Sequence, residues 1–107
     1  MKIEVLYLAG CPNHLPAMEI VRETLSSLDR EAEIHQTEIR TQAEAEAKGF
    51  VGSPSVRING MDIEPWARTT TTFGLSCRTY MHGSQRGGVP SCEQLRRAIE
   101  ETIREGR

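Results

Sequence analysis

Cys11 and His14, arranged as Cys11-Pro12-Asn13-His14 directly behind Gly10, are the residues of this chain whose types and spacing suit chemistry. A thiolate is both a nucleophile and a soft-metal ligand. A cysteine at a helix N-terminus sees free backbone N–H groups and the positive end of the helix dipole, and both favour the thiolate. His14, three residues on, has the type to stabilise that thiolate as an imidazolium, to act as a general acid or to serve as a ligand; an ordinary surface histidine is the competing reading. Two further cysteines, Cys77 and Cys92, lie far along the chain. Cys77 is a candidate resolving thiol or second soft-metal ligand, and Cys92 opens the last predicted helix. Together the three thiols and His14 have the types of a Cys₃His zinc set, but the spacing lacks the close ligand pairs of a compact zinc motif.

The elements that must position these residues are readable in order. Lys2 to Leu8 is a β-branched and apolar run that predicts a buried strand, closed by the turn signal Ala9-Gly10. Asn13 is a candidate N-cap, and Pro16 is tolerated in a first helical turn. Leu15, Met18, Val21, Leu25 and Leu28 then recur at helical spacing, predicting about four turns that end near Asp29. Ala32 to Thr37 predicts a second strand, extending at most to Ile39. Thr41 caps a short helix over Gln42–Lys48 that Gly49 stops. Gly52 to Ile58 predicts a turn and a third strand, and Asn59-Gly60 is a strong hairpin signal leading into a fourth, Met61-Asp62-Ile63. From Glu64 to Val89 the periodicity disappears, and this predicts a long connecting loop, with Trp66, Phe73 and Tyr80 packing it onto the sheet. His35 and His82 read as surface residues. Ser91 with Gln94 forms a capping box for a last helix through Leu95, Ala98, Ile99 and Ile103.

The order strand–helix–strand, helix, hairpin, helix resembles the thioredoxin fold. Cys11-Pro12-Asn13-His14 stands where that family's Cys-x-x-Cys or Cys-x-x-Ser motif begins, and Gly52-Ser53-Pro54-Ser55-Val56 resembles the segment whose proline is cis. The resemblance covers Met1 to Ile63 and the final helix. It implies an α/β, thioredoxin-like domain over residues 1–107, with a four-stranded mixed sheet in βαβ-α-ββ-α order and a 64–89 insertion before the last helix. It also implies that the insertion and the start of the last helix lie on the Cys11 side. Pro12, Ser53 and Pro54 would line the substrate groove, and the Ser53 backbone would be open for strand-like pairing with a peptide or thiol. His14 stands where the resolving cysteine would be, so exchange within the motif is impossible and Cys77 becomes the candidate resolving thiol.

Three functions follow. The first is thiol-disulfide exchange through Cys11, His14 and Cys77 on a low-molecular-weight thiol or a protein disulfide. The second is handling of a thiophilic metal or an organomercurial by Cys11 and Cys77, joined by Cys92 for a bound soft metal. It rests on a resemblance of the opening strand and Gly-Cys-Pro to small alkylmercury lyase-like proteins, in which an acid stands where this chain has His14. The third is a non-catalytic thioredoxin-like binding module.

Bulk properties narrow the rest. At 107 residues and a net charge of -2 the chain is sized for one domain and offers no electrostatic case for nucleic acid. Arg96, Arg97, Arg104 and Arg107 alternate with glutamates, as on a solvated helix face. No apolar run approaches the roughly 20 residues that cross a bilayer. The N-terminus lacks a signal-peptide pattern, so the expected location is the cytoplasm. Three cysteines do not make a disulfide scaffold. No phosphate loop, acid pair or serine triad is found, and no cofactor is expected.

Overall fold

A computed structural model describes residues 1–106. The central strand is β1 (Lys2–Tyr7), paired in parallel with β2 (Glu33–Glu38) on one side. On its other side it pairs antiparallel with β3 (Ser55–Ile58), which in turn pairs antiparallel with the two-residue β4 (Met61–Asp62). The result is a four-stranded mixed sheet in the order β2-β1-β3-β4. Alternation along β1 sorts the two faces. Ile3 and Val5 join Met18, Val21, Leu95 and Ile99 in the larger core, whereas Leu6 joins Ile39, Ala45 and Phe50 in a smaller one. Helices α1 (His14–Ser27) and α4 (Cys92–Arg104) therefore cover one face, and α2 (Gln42–Lys48) covers the other.

Local chemistry explains most of the boundaries. Thr41 Oγ1 accepts the Glu44 N–H at 3.1 Å, and Gly49 ends α2 in the left-handed conformation. Ser91 Oγ accepts the Gln94 N–H at 3.0 Å and starts α4. Asn59 and Gly60 both take positive φ, as the two-residue turn between β3 and β4 requires. Asn13 occupies the N-cap position of α1 without a side-chain capping bond, and its side chain lies against Gly88 instead. Leu15 and Ile103 carry the helical period in sequence, yet both are exposed, because they lie in terminal turns beyond the reach of the core. Among the described residues no helix is long and apolar enough to cross a membrane.

The 64–89 segment is not the structureless loop that its lost periodicity predicts. It holds α3 (Pro65–Thr69) and a hairpin of β5 (Tyr80–His82) and β6 (Gln85–Gly87). Pro65 opens α3 at a position where its missing N–H costs nothing. Gly83, with positive φ, sits first in the Gly83-Ser84 turn. These elements are three to five residues long, too short to display a period.

Candidate functional site

Cys11 sits in the turn between β1 and α1. Its N–H donates to the Leu8 carbonyl at 3.1 Å, and its own carbonyl accepts the His14 N–H at 3.3 Å. The first helical bond, from Ala17 N–H to the Asn13 carbonyl, begins two residues after Cys11. Cys11 is partly exposed, Cys77 and Cys92 are exposed, and all three thiols are free. Pro12 follows Cys11 in the same turn and is exposed.

The turn is tied to the Ser53-Pro54 segment, whose peptide bond is cis. Ser53 is buried, and its Oγ accepts the Leu8 N–H at 3.0 Å, from the same residue whose carbonyl holds Cys11. Ser53 is in turn bridged to Cys77: the Ser53 N–H donates to the Ser76 carbonyl at 2.9 Å, and the Arg78 N–H donates to the Ser53 carbonyl at 3.0 Å. Both main-chain hydrogen-bonding groups of Ser53 are thus used within the chain. The expectation that the Ser53 backbone stands open for a peptide or thiol is corrected here: Ser76 and Arg78 of this same chain take that place. Cys77 is the residue bridged to Ser53.

The His14 ring is engaged by residues of β1 and β2. It stacks on Tyr7 at 3.5 Å between centroids with planes 7° apart, and its Nε2 lies 2.6 Å from Gln36 Oε1 on β2. Cys92 is the first residue of α4. Among the described residues no three His, Cys, Asp or Glu side chains gather in a metal-binding arrangement, so neither Cys11, Cys77 and Cys92 nor those thiols with His14 assemble as a ligand set. With Cys77 held at Ser53 and Cys92 at the exposed start of α4, the thiols belong to separate elements.

What the sequence reading missed is the latch that seats the strap, residues 76–78. The Arg78 guanidinium is almost fully buried and binds both carboxylate oxygens of Asp62 at 2.7 and 2.8 Å. It also bonds Glu64 Oε1 and Ser55 Oγ, each at 3.0 Å. It also lies over the rings of Trp66 and Tyr80, at 5.1 and 4.5 Å from their centroids. Burial opposes the charge on Arg78, but the hydrogen bonds and charges of Asp62 and Glu64 outweigh it and hold its pKa above the ordinary arginine value. The surplus negative charge of two acids against one cation is spread by neutral donors, Trp66 Nε1 and Gln94 Nε2, both bonded to Glu64. One sequence signal was available: Arg78 is the lone Asp, Glu, Lys or Arg in residues 69–85.

Gly52 lets the strap approach. A Cβ there would lie 2.9 Å from Arg78 Cβ and 3.3 Å from the Cys77 carbonyl oxygen. On the outer side Cys77 opens onto a cavity of about 410 Å³ shared with Val51, Trp66, Met81 and Arg86.

Tyr80, two residues beyond the strap, anchors the chain there. It is fully buried and its hydroxyl donates to the Pro54 carbonyl at 2.6 Å. Burial raises its pKa well above the ordinary phenol value, with the nearby Arg78 charge opposing. A buried neutral phenol binds its proton more tightly folded than unfolded. Its contribution to stability is therefore complete below the unfolded pKa of about 10 and declines as pH rises beyond it. In a Tyr7→Phe variant, phenolate absorbance should appear only together with unfolding; a step near pH ~10 in folded protein would refute this.

No family model, curated protein or solved structure matches the chain.

Proposed function

We propose that the protein is a thiol-dependent redox protein of the thioredoxin/glutaredoxin type, with Cys11 as nucleophile and Cys77 as resolving thiol. The observation that carries this reading is the hydrogen-bonded run from the Cys11 backbone through Leu8 and Ser53 to Ser76 and Arg78, the residues that flank Cys77, beside a cis proline. The sheet order β2-β1-β3-β4, with a parallel pair first and an antiparallel hairpin after it, supports the thioredoxin-like assignment.

In the reaction, the Cys11 thiolate attacks one sulfur of a substrate disulfide. A bond forms between Cys11 and that half, the substrate S–S bond breaks, and the other half leaves as a thiolate. The Cys77 thiolate then attacks the Cys11 sulfur, closes a Cys11–Cys77 disulfide and releases the second half. The substrate gains two electrons and the protein loses two, which an external thiol restores. Both released thiolates take their protons from solvent.

Handling of a thiophilic metal or organomercurial by the same two thiols draws less support. The His14 ring is engaged with Tyr7 and Gln36, and no third ligand joins a metal set among the described residues. A binding module without chemistry leaves the tie between the Cys11 turn and the Cys77 segment without a use.

Cys11→Ser should lower disulfide exchange at least about a hundredfold, because an alcohol does not replace a thiolate nucleophile. Cys77→Ser should retain the first attack and stop at a mixed disulfide on Cys11, seen as a mass increase of the intact protein. Full exchange in Cys11→Ser would sink the proposal.

A further inference from the structure

The strap at residues 76–78 decides what reaches Cys11. An extended peptide docks beside a strand by pairing its backbone with free N–H and C=O groups. Next to the Cys11 turn those groups belong to Ser53, and Ser76 and Arg78 already hold both. The strap is not loosely laid down: Arg78 is tied to Asp62, Glu64 and Ser55, and Gly52 lacks the Cβ that would push it away. Beside Cys77 remains a cavity of about 410 Å³, lined also by Glu64, Trp66, Met81 and Arg86 and within the range that takes small molecules.

Resting on the redox reading above, we infer that the substrate is a compact, low-molecular-weight disulfide, and that the strap excludes extended protein disulfides. The strap serves two purposes: it carries the resolving thiol and it occupies the place of a substrate strand. The covalent steps are those already written, with a small thiolate leaving at each.

The test compares two disulfides that share one leaving group. One is a bis-nitrobenzoate disulfide, compact and carboxylated. The other is an extended peptide whose central cysteine carries the same nitrobenzoate as a mixed disulfide. Rates are divided by those of free cysteine with each compound, which removes intrinsic reactivity. The wild-type protein should favour the compact disulfide at least about tenfold, and Gly52→Ala should reduce that preference by about fivefold as the strap is displaced. Loss of all preference in wild type, with the reaction still abolished by Cys11→Ser, would overturn the inference and leave the redox reading standing. Full reactivity in Cys11→Ser would remove both. Should Gly52→Ala not fold, amide hydrogen exchange on the wild-type protein decides. Protected Ser53 and Arg78 amides support a seated strap, and exchange at the rate of an unstructured peptide overturns it.

Discussion

Replacing Arg78 with methionine is expected to lower folding stability by about 3–5 kcal/mol, the usual range when one partner of a buried ion pair is removed. Methionine keeps the unbranched apolar stem of arginine and removes the guanidinium, so lost packing of the stem is not the main cause. The cost comes from Asp62 and Glu64, which are left without the cation they share. Ser55 Oγ loses a donor as well, although it still donates to the Gly52 carbonyl. The loss should shrink in acid, because protons can then neutralise the two orphaned carboxylates. Urea unfolding of wild type and variant at neutral and acid pH checks both statements. A difference below about 1 kcal/mol at neutral pH would mean that the pair is solvated as surface pairs are.

Gly52→Ala is expected to cost a comparable amount by a different route. The residue has φ of +137°, where an L side chain is strained by roughly 1–3 kcal/mol. The added methyl also meets Arg78 Cβ at 2.9 Å and the Cys77 carbonyl at 3.3 Å, and neither is the free end of a flexible side chain. Crowding of this kind adds about 1–3 kcal/mol unless the neighbour moves. The neighbour able to move is the strap, so relief of the crowding means its displacement. The same urea experiment, with amide exchange at Ser53, separates the cases: a stable variant should show a freed Ser53 amide, and a protected one should be markedly destabilised. A variant that is both stable and protected would contradict the packing described here.

The central sheet was legible because each of its signals is local. Thr41 and Gly49 bracket α2 within nine positions of each other, Asn59-Gly60 makes its own turn, and Ser91 reaches only as far as Gln94. Cys11 at its strand–helix turn was legible for the same reason. The latch was not, because Arg78 meets Glu64, Asp62 and Ser55 across 14, 16 and 23 residues. No window that detects a period contains such a set. The short hairpin and α3 failed for want of length, and the place taken by the strap on Ser53 depends on Gly52, whose role is visible only once Arg78 lies against it. His14 was read by its type beside a thiol, whereas Tyr7 and Gln36, a strand on either side of the decision, set where its ring lies.

The chain has a single tryptophan, and it lies on the guanidinium of Arg78 at the half-exposed outer face of the latch. Neither core cluster contains an indole. Its emission therefore reports on one place, the contact that holds the strap down. Fluorescence follows seating of the strap, while far-ultraviolet dichroism follows the sheet and helices. Opening of the site and unfolding of the protein can thus be followed as separate optical signals in the unmodified chain.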